Sequence, residues 1–247
     1  MSTSRVTLDD QTLLLLYTKF QGERRSLGEL YPLVRHDDSF LESRRYDNPA
    51  SMMVAMMAQE HILTATNTLN RFSYDLHCLS AWRKVFESAT EVERMQALYE
   101  FLSPIASHSL SMPYSIKQMF VKSVCQISHQ TNRFHVNDWN ESSLDEKPRF
   151  PDAKRLAGRF RSWPGLCAAF SLLNSQKFTS ASDNYRNELN HGFPRRIELG
   201  HTTIIRRDPK SFSYEWHDAP PLSIRDLVPL LAGSIKLRLT AITHIWS

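Results

Sequence analysis

The apolar positions of this chain recur at three- and four-residue steps over long stretches and seldom alternate with polar ones, which is the period of helices rather than of strands. The strongest run starts at Pro49, a natural first helical residue behind Asn48 as cap. It continues through Met53, Met56, Met57, His61, Leu63, Leu69, Leu76 and Leu79 to Phe86 without Pro or Gly. It predicts one long helix, with Met52, Met53, Met56 and Met57 packed in the core. Before it, the pattern predicts a helix over Leu8–Phe20, a polar loop at Gly22–Ser26 and an irregular stretch through Pro32–Pro49. After it come a short helix to Leu102, opened by a Thr90/Glu93 capping box, and another over Ser115–Thr131 behind Pro113.

The second half is more broken. Asn137–Asp152, polar and carrying two prolines, reads as an exposed loop between the N-terminal helices (1–136) and a basic part (150–247). A basic helix follows from Asp152 to Arg161. After a break at Pro164-Gly165 come a helix to Asn174 and one from Thr179 to His191, with Gly192 placed as a left-handed C-cap and Pro194 preventing continuation. Thr202–Arg207 and Ser211–Trp216 read as strands of a hairpin joined at Asp208-Pro209-Lys210, and Leu222–Ile245 as a last amphipathic helix. The expected fold is mostly α: one helical-bundle domain over 1–247 with a single small β-hairpin near the C-terminus.

Composition agrees with that reading. Seven Gly and 12 Pro in 247 residues favour long elements, and 41% apolar content suffices for a substantial core. Three widely spaced cysteines, Cys78, Cys125 and Cys167, argue against a disulfide framework and for a reducing compartment. Met1–Gln11 has no basic lead, and the run Leu13–Leu16 is too short for a signal peptide or a membrane span, so a cytoplasmic protein without membrane contact is expected.

Charge changes the picture more. The formal net charge is only +4, yet Arg149–Arg207 carries eleven Lys or Arg against four Asp or Glu, which points to a polyanionic partner. The bland reading makes Arg155, Arg159 and Arg161 the solvated side of a helix.

Within the basic region stands Asp183-Asn184-Tyr185-Arg186-Asn187-Glu188-Leu189-Asn190-His191. An Arg and a His with four to six residues between them are a common pair, and Arg71 with His77, Arg195 or Arg196 with His201, and Arg238 with His244 also satisfy that spacing. The segment at 186–191 differs because Asn follows the Arg, the hexapeptide lies in a predicted helix, and Gly192-Phe193-Pro194-Arg195-Arg196 closes that helix. Asn187 and His191 are four residues apart and share a helical face, where the amide can orient the imidazole; the long Arg186 side chain reaches the same rim.

Residues 183–196 resemble the signature of the HEPN superfamily, an Arg, a polar residue that is often Asn, three variable residues and a His near a helix end. The resemblance implies a helical, metal-independent endoribonuclease without cofactor. The ribose 2′-hydroxyl attacks the adjacent phosphate to leave 2′,3′-cyclic phosphate and 5′-hydroxyl ends, at a site composed across a homodimer. In that reading Arg186 stabilises phosphate charge, His191 transfers a proton and Asn187 orients it, while Tyr185, Phe193, Arg195 and Arg196 contact RNA. It further implies a toxin or an effector of defence against phage, with an antitoxin or other regulatory protein as a partner.

The competing reading, from another class, is a non-catalytic HEPN-like module that binds RNA or protein, with Arg186 paired to an acid and His191 capping its own helix. His129 and His135 near Asp138 fit no metal-ligand spacing, and His77-Cys78 diverge on a helix. No phosphate-binding Gly loop, nucleophile elbow or His-Glu-x-x-His pair occurs.

Overall fold

The computed structural model describes residues 10–28, 33–35, 48–140, 144–172, 175–200, 202–207 and 213–233. In chain order these form α1 (Asp10–Ser26), α2 (Pro49–Ser88), α3 (Glu91–Ala97), a π-helical turn (Leu98–Leu102), α4 (Ser103–His135), α5 (Phe150–Ala157), α6 (Trp163–Leu172), α7 (Gln176–Ala181), α8 (Tyr185–His191), β1 (Thr202–Arg207), β2 (Tyr214–Ala219) and a helix, α9, described over 224–233. The protein is a mostly α helical bundle with one antiparallel strand pair, registered from Thr202 opposite Ala219 to Arg207 opposite Tyr214. The hairpin connection at 208–210 and the final helix beyond 233 lie outside the described residues.

Local signals explain the element starts. The Asn48 side chain accepts from Ser51 N–H at 2.8 Å and caps α2, and Thr90 with Glu93 forms the reciprocal capping box of α3. The backbone amide of Thr90 is also the main reason the Glu93 carboxyl sits below its usual range.

Two expected breaks are absent. Gly22–Ser26 is the last part of α1, held helical by Lys84 Nζ against Glu23 at 3.3 Å and by His77 Nε2 against the Arg24 carbonyl at 2.9 Å. Pro113 lies inside α4, between buried Leu110 and Ile116, so burial outweighs the lost backbone bond. Pro104, which cannot donate to the Glu100 carbonyl, accounts for the preceding π turn, where Ser103 N–H bonds Leu98 O instead.

The chain divides into two compact units, each built from three segments. The first comprises Met1–Pro32, Ser73–Ser111 and Gln176–Gly233; the second comprises Leu33–Phe72, Met112–Ser175 and Ser234–Ser247. In the first, the Trp82 ring, 1% exposed, is sandwiched between Phe20 at 4.7 Å and Phe101 at 5.2 Å, with Phe86 edge-on. This stack joins α1, α2 and the π turn. In the second, Phe150, Trp163 and Phe170 cluster where α5 meets α6.

Met52, Met53 and Met56, expected in the core, are exposed: helical period identifies a face, but only neighbouring elements decide whether it is covered. Cys78 and Cys125 are buried and no cysteine is paired among the described residues; burial pushes the Cys125 thiol up to about 11. Among the described residues no helix is long and apolar enough to cross a membrane.

Trp82→Ala should cost about 3–5 kcal/mol of stability, read by urea unfolding, because the Phe20 and Phe101 faces lose their shared partner. His61, in the second unit, is held below its ordinary value of 6.5 first by burial and then by Lys122, against the opposing pull of Glu60 and a Gln126 hydrogen bond. The folded state therefore prefers neutral imidazole: this stabilisation is complete above 6.5 and is lost as pH falls through the lowered value. His61→Gln should flatten the decline of the urea midpoint between pH 7.5 and 5.5; an unchanged decline would assign it to other groups.

Candidate functional site

The motif lies wholly in the first unit. The single helix expected from Thr179 to His191 is two helices, because Asp183 and Asn184 both take left-handed backbone, each with φ 52°. Asp and Asn tolerate that region better than other residues with a Cβ. The break is closed by backbone bonds from Ser182 N–H to Phe178 O at 2.9 Å and from Asn184 N–H to Thr179 O at 2.7 Å.

The break sends Tyr185, at the start of α8, into the core. It is 4% exposed, and its hydroxyl lies 2.8 Å from Ser107 Oγ on α4. Burial pushes its pKa up, against the opposing effects of Ser107 and Arg196, so the phenol stays protonated at neutral pH. This corrects the expectation that Tyr185 stacks on bases: its ring is packed inside and anchors the motif helix.

From that anchor α8 runs outward. Arg186 is half-buried at its base, whereas Asn187 and His191 are exposed. Their four-residue spacing puts them about one turn apart on one face. Among the described residues no hydrogen bond joins the Asn187 amide to the His191 imidazole; the Asn187 backbone N–H bonds Asn184 O at 2.9 Å. Gly192 is not left-handed, with φ −152° and ψ −135°; its N–H closes the helix on Glu188 O at 2.9 Å, and an irregular segment leads from there to an isolated bridge between Ile197 and Leu222.

That segment carries the basic residues. Leu222 N–H bonds Arg196 O at 2.7 Å, Glu198 N–H bonds Leu222 O at 2.9 Å, and Ile197 is buried between them. The Glu198 carboxylate accepts from Ile224 N–H and Ser223 Oγ, capping α9. Arg195 Nε donates to Pro220 O at 2.9 Å, so this guanidinium is partly engaged in the fold, while the Arg196 side chain is exposed. Phe193 is 69% exposed and Leu189 44%, an apolar shoulder beside His191.

A second titratable pair, absent from the sequence reading, stands in the same unit. His108 Nδ1 lies 2.7 Å from Asp75 Oδ2, with the Asp75 side chain 2% exposed and that of His108 48% exposed. A buried carboxylate holding one ring nitrogen leaves the imidazole with a fixed tautomer and its Nε2 available. His108 directly follows Ser107, the partner of Tyr185. The only hint in the sequence is an Asp among the apolar positions of α2, and nothing local links it to a His 33 residues away.

The remaining candidates are structural. His129 accepts from Trp139 Nε1–H at 3.2 Å, and Cys78 is core. Among the described residues no group of three or more His, Cys, Asp or Glu could hold a metal ion. The basic residues 149–161 belong to the second unit and those from 177 onward to the first, so they are not one contiguous element of a single unit. No family model matches the chain, and no curated protein or solved structure matches it either.

Tyr185→Phe should lower stability by about 1 kcal/mol through the lost Ser107 hydrogen bond, and Tyr185→Ala by about 3–5 kcal/mol through the cavity, both read by urea unfolding. Equal, negligible losses would mean that the phenol does not anchor α8.

Proposed function

We propose that the protein is a metal-independent, HEPN-like endoribonuclease. The observation that carries the reading is the placing of Asn187 and His191, exposed on one face of a short helix whose base holds Arg186 and is anchored by a buried tyrosine. A non-catalytic module has no need of an exposed imidazole at that point, whereas a general acid or base must reach the substrate.

In this reading a 2′-hydroxyl attacks the neighbouring phosphorus, the P–O5′ bond breaks, and the 5′-oxygen leaves as a hydroxyl after taking up a proton. Arg186 stabilises the charge of the crowded phosphorane, and His191 moves one of the two protons. The second transfer comes from His191 of a two-fold-related copy, with Leu189 and Phe193 as apolar contacts beside the composite site. Arg196 supplies the exposed positive charge that attracts the phosphate backbone. A role as a toxin or defence effector, held in check by an antitoxin or regulatory protein, follows the same resemblance.

One observation favours the rival RNA- or protein-binding module: the missing Asn187–His191 hydrogen bond leaves the imidazole without the orientation the chemistry needs. The dimer or bound RNA must supply it for the enzymatic reading to hold.

Purified protein incubated with a mixed RNA pool in EDTA should leave 2′,3′-cyclic phosphate and 5′-hydroxyl ends. His191→Ala and Arg186→Ala should each reduce the rate by about 10²–10⁴-fold without loss of folding. Light scattering should report a dimer that Phe193→Asp weakens together with cleavage. RNA left intact by wild type, with RNA binding retained, would transfer the assignment to the module.

A further inference from the structure

The second unit contains a pocket of about 320 Å³, partly open to solvent, between α2, α4 and the corner from α5 to α6. A cavity of roughly 150 Å³ accepts benzene, and ligand pockets begin near about 300 Å³, so this one suits a body of about two fused rings. Phe120, Val124, Ile127, Phe160 and Leu166 make its wall mainly apolar, and among the described residues no Asp, Glu, Lys or Arg lines it. Two of its hydroxyls are engaged within α4: Ser123 Oγ donates to Met119 O at 2.9 Å, and Thr131 Oγ1 to Ile127 O at 2.8 Å.

The titratable group in this wall is His61. It is half-buried, and its Nδ1 lies 3.1 Å from Ser123 Oγ. The single hydrogen of that hydroxyl is committed to Met119, so Nδ1–H of His61 is the donor. The groups acting on the ring are Lys122 and Gln126 from α4 and Glu60 from its own helix, while the corner from α5 to α6 faces the pocket with Ala157, Phe160, Ser162 and Leu166, none of which titrates. Burial first, and then Lys122, hold His61 below its ordinary 6.5, so the imidazole is neutral at pH 7.5. An apolar ligand in the pocket displaces water from this ring, and an imidazolium loses more from that than a neutral imidazole does. Ligand and proton therefore oppose each other, and high pH favours the ligand.

We propose that this pocket is a binding site for a small apolar molecule of about two fused rings, and that His61 gates it by admitting the ligand while the imidazole is neutral and rejecting it once protonated. The site is confined to the second unit, so it is independent of the ribonuclease reading.

The test is calorimetric titration of the full chain with naphthalene between pH 8 and 5. Saturable one-to-one binding is expected at pH 8. As pH falls below the lowered value of His61, affinity should drop by about tenfold per pH unit, because the neutral fraction alone is competent to bind. His61→Gln, which gains no proton, should keep its pH 8 affinity down to pH 5. The His61 imidazole signal, followed by NMR, should titrate at a lower pH when naphthalene is saturating. Val124→Trp, which fills the pocket from α4, should abolish binding; Leu166→Trp serves if that variant fails to fold. No saturable binding at pH 8, binding that survives both tryptophan variants, a wild-type affinity indifferent to pH, or a pH dependence that persists in His61→Gln would each overturn the proposal.

Discussion

The sandwich of Trp82 between Phe20 and Phe101 is the constraint on which the first unit depends. It brings the C-terminal part of α2 against the π turn that leads into α4, and the two run antiparallel from there. Seven residues back from Trp82 stands Asp75, and seven residues on from Phe101 stands His108; two helical turns, about 10.5 Å, separate each from the stack. The Asp75–His108 contact and the Ser107–Tyr185 contact are therefore consequences of the register the aromatic stack imposes. A shift of α4 by one residue would turn Ser107 and His108 about 100° away from their partners.

The motif helix is short and gains little from its own backbone. Seven residues are too few for an isolated helix to be stable in water, so α8 persists because Tyr185 is buried and because the segment after Gly192 is tied to Leu222 and α9. The left-handed pair Asp183-Asn184 makes this possible. A continuous helix from Thr179 would carry Tyr185 on whatever heading α7 set, whereas the break lets the phenol enter the core while His191 stays outside. The chemistry proposed for Arg186, Asn187 and His191 thus rests on two residues that take no part in it.

The second unit follows another logic. Its aromatic cluster at Phe150, Trp163 and Phe170 closes α5 on α6, and the neighbouring helices leave a pocket lined by His61 and Ser128 that is partly open to solvent.

The sequence by itself determined what depends on near neighbours: the long helix from Pro49 behind its Asn48 cap, the Thr90/Glu93 box, the paired strands, the predominance of helix, and the shared face of Asn187 and His191. Each follows from side-chain spacing, proline geometry or a cap within four residues. Tertiary structure decided the rest. It covered Tyr185 and exposed Met52, Met53 and Met56, which have equally regular helical spacing. It carried α4 through Pro113, divided the basic residues between two units, and paired Asp75 with His108 and His61 with Ser123 across 33 and 62 residues. A periodic pattern defines faces on an element, but burial and long-range pairing are properties of two surfaces in contact, and the second surface is written elsewhere in the chain.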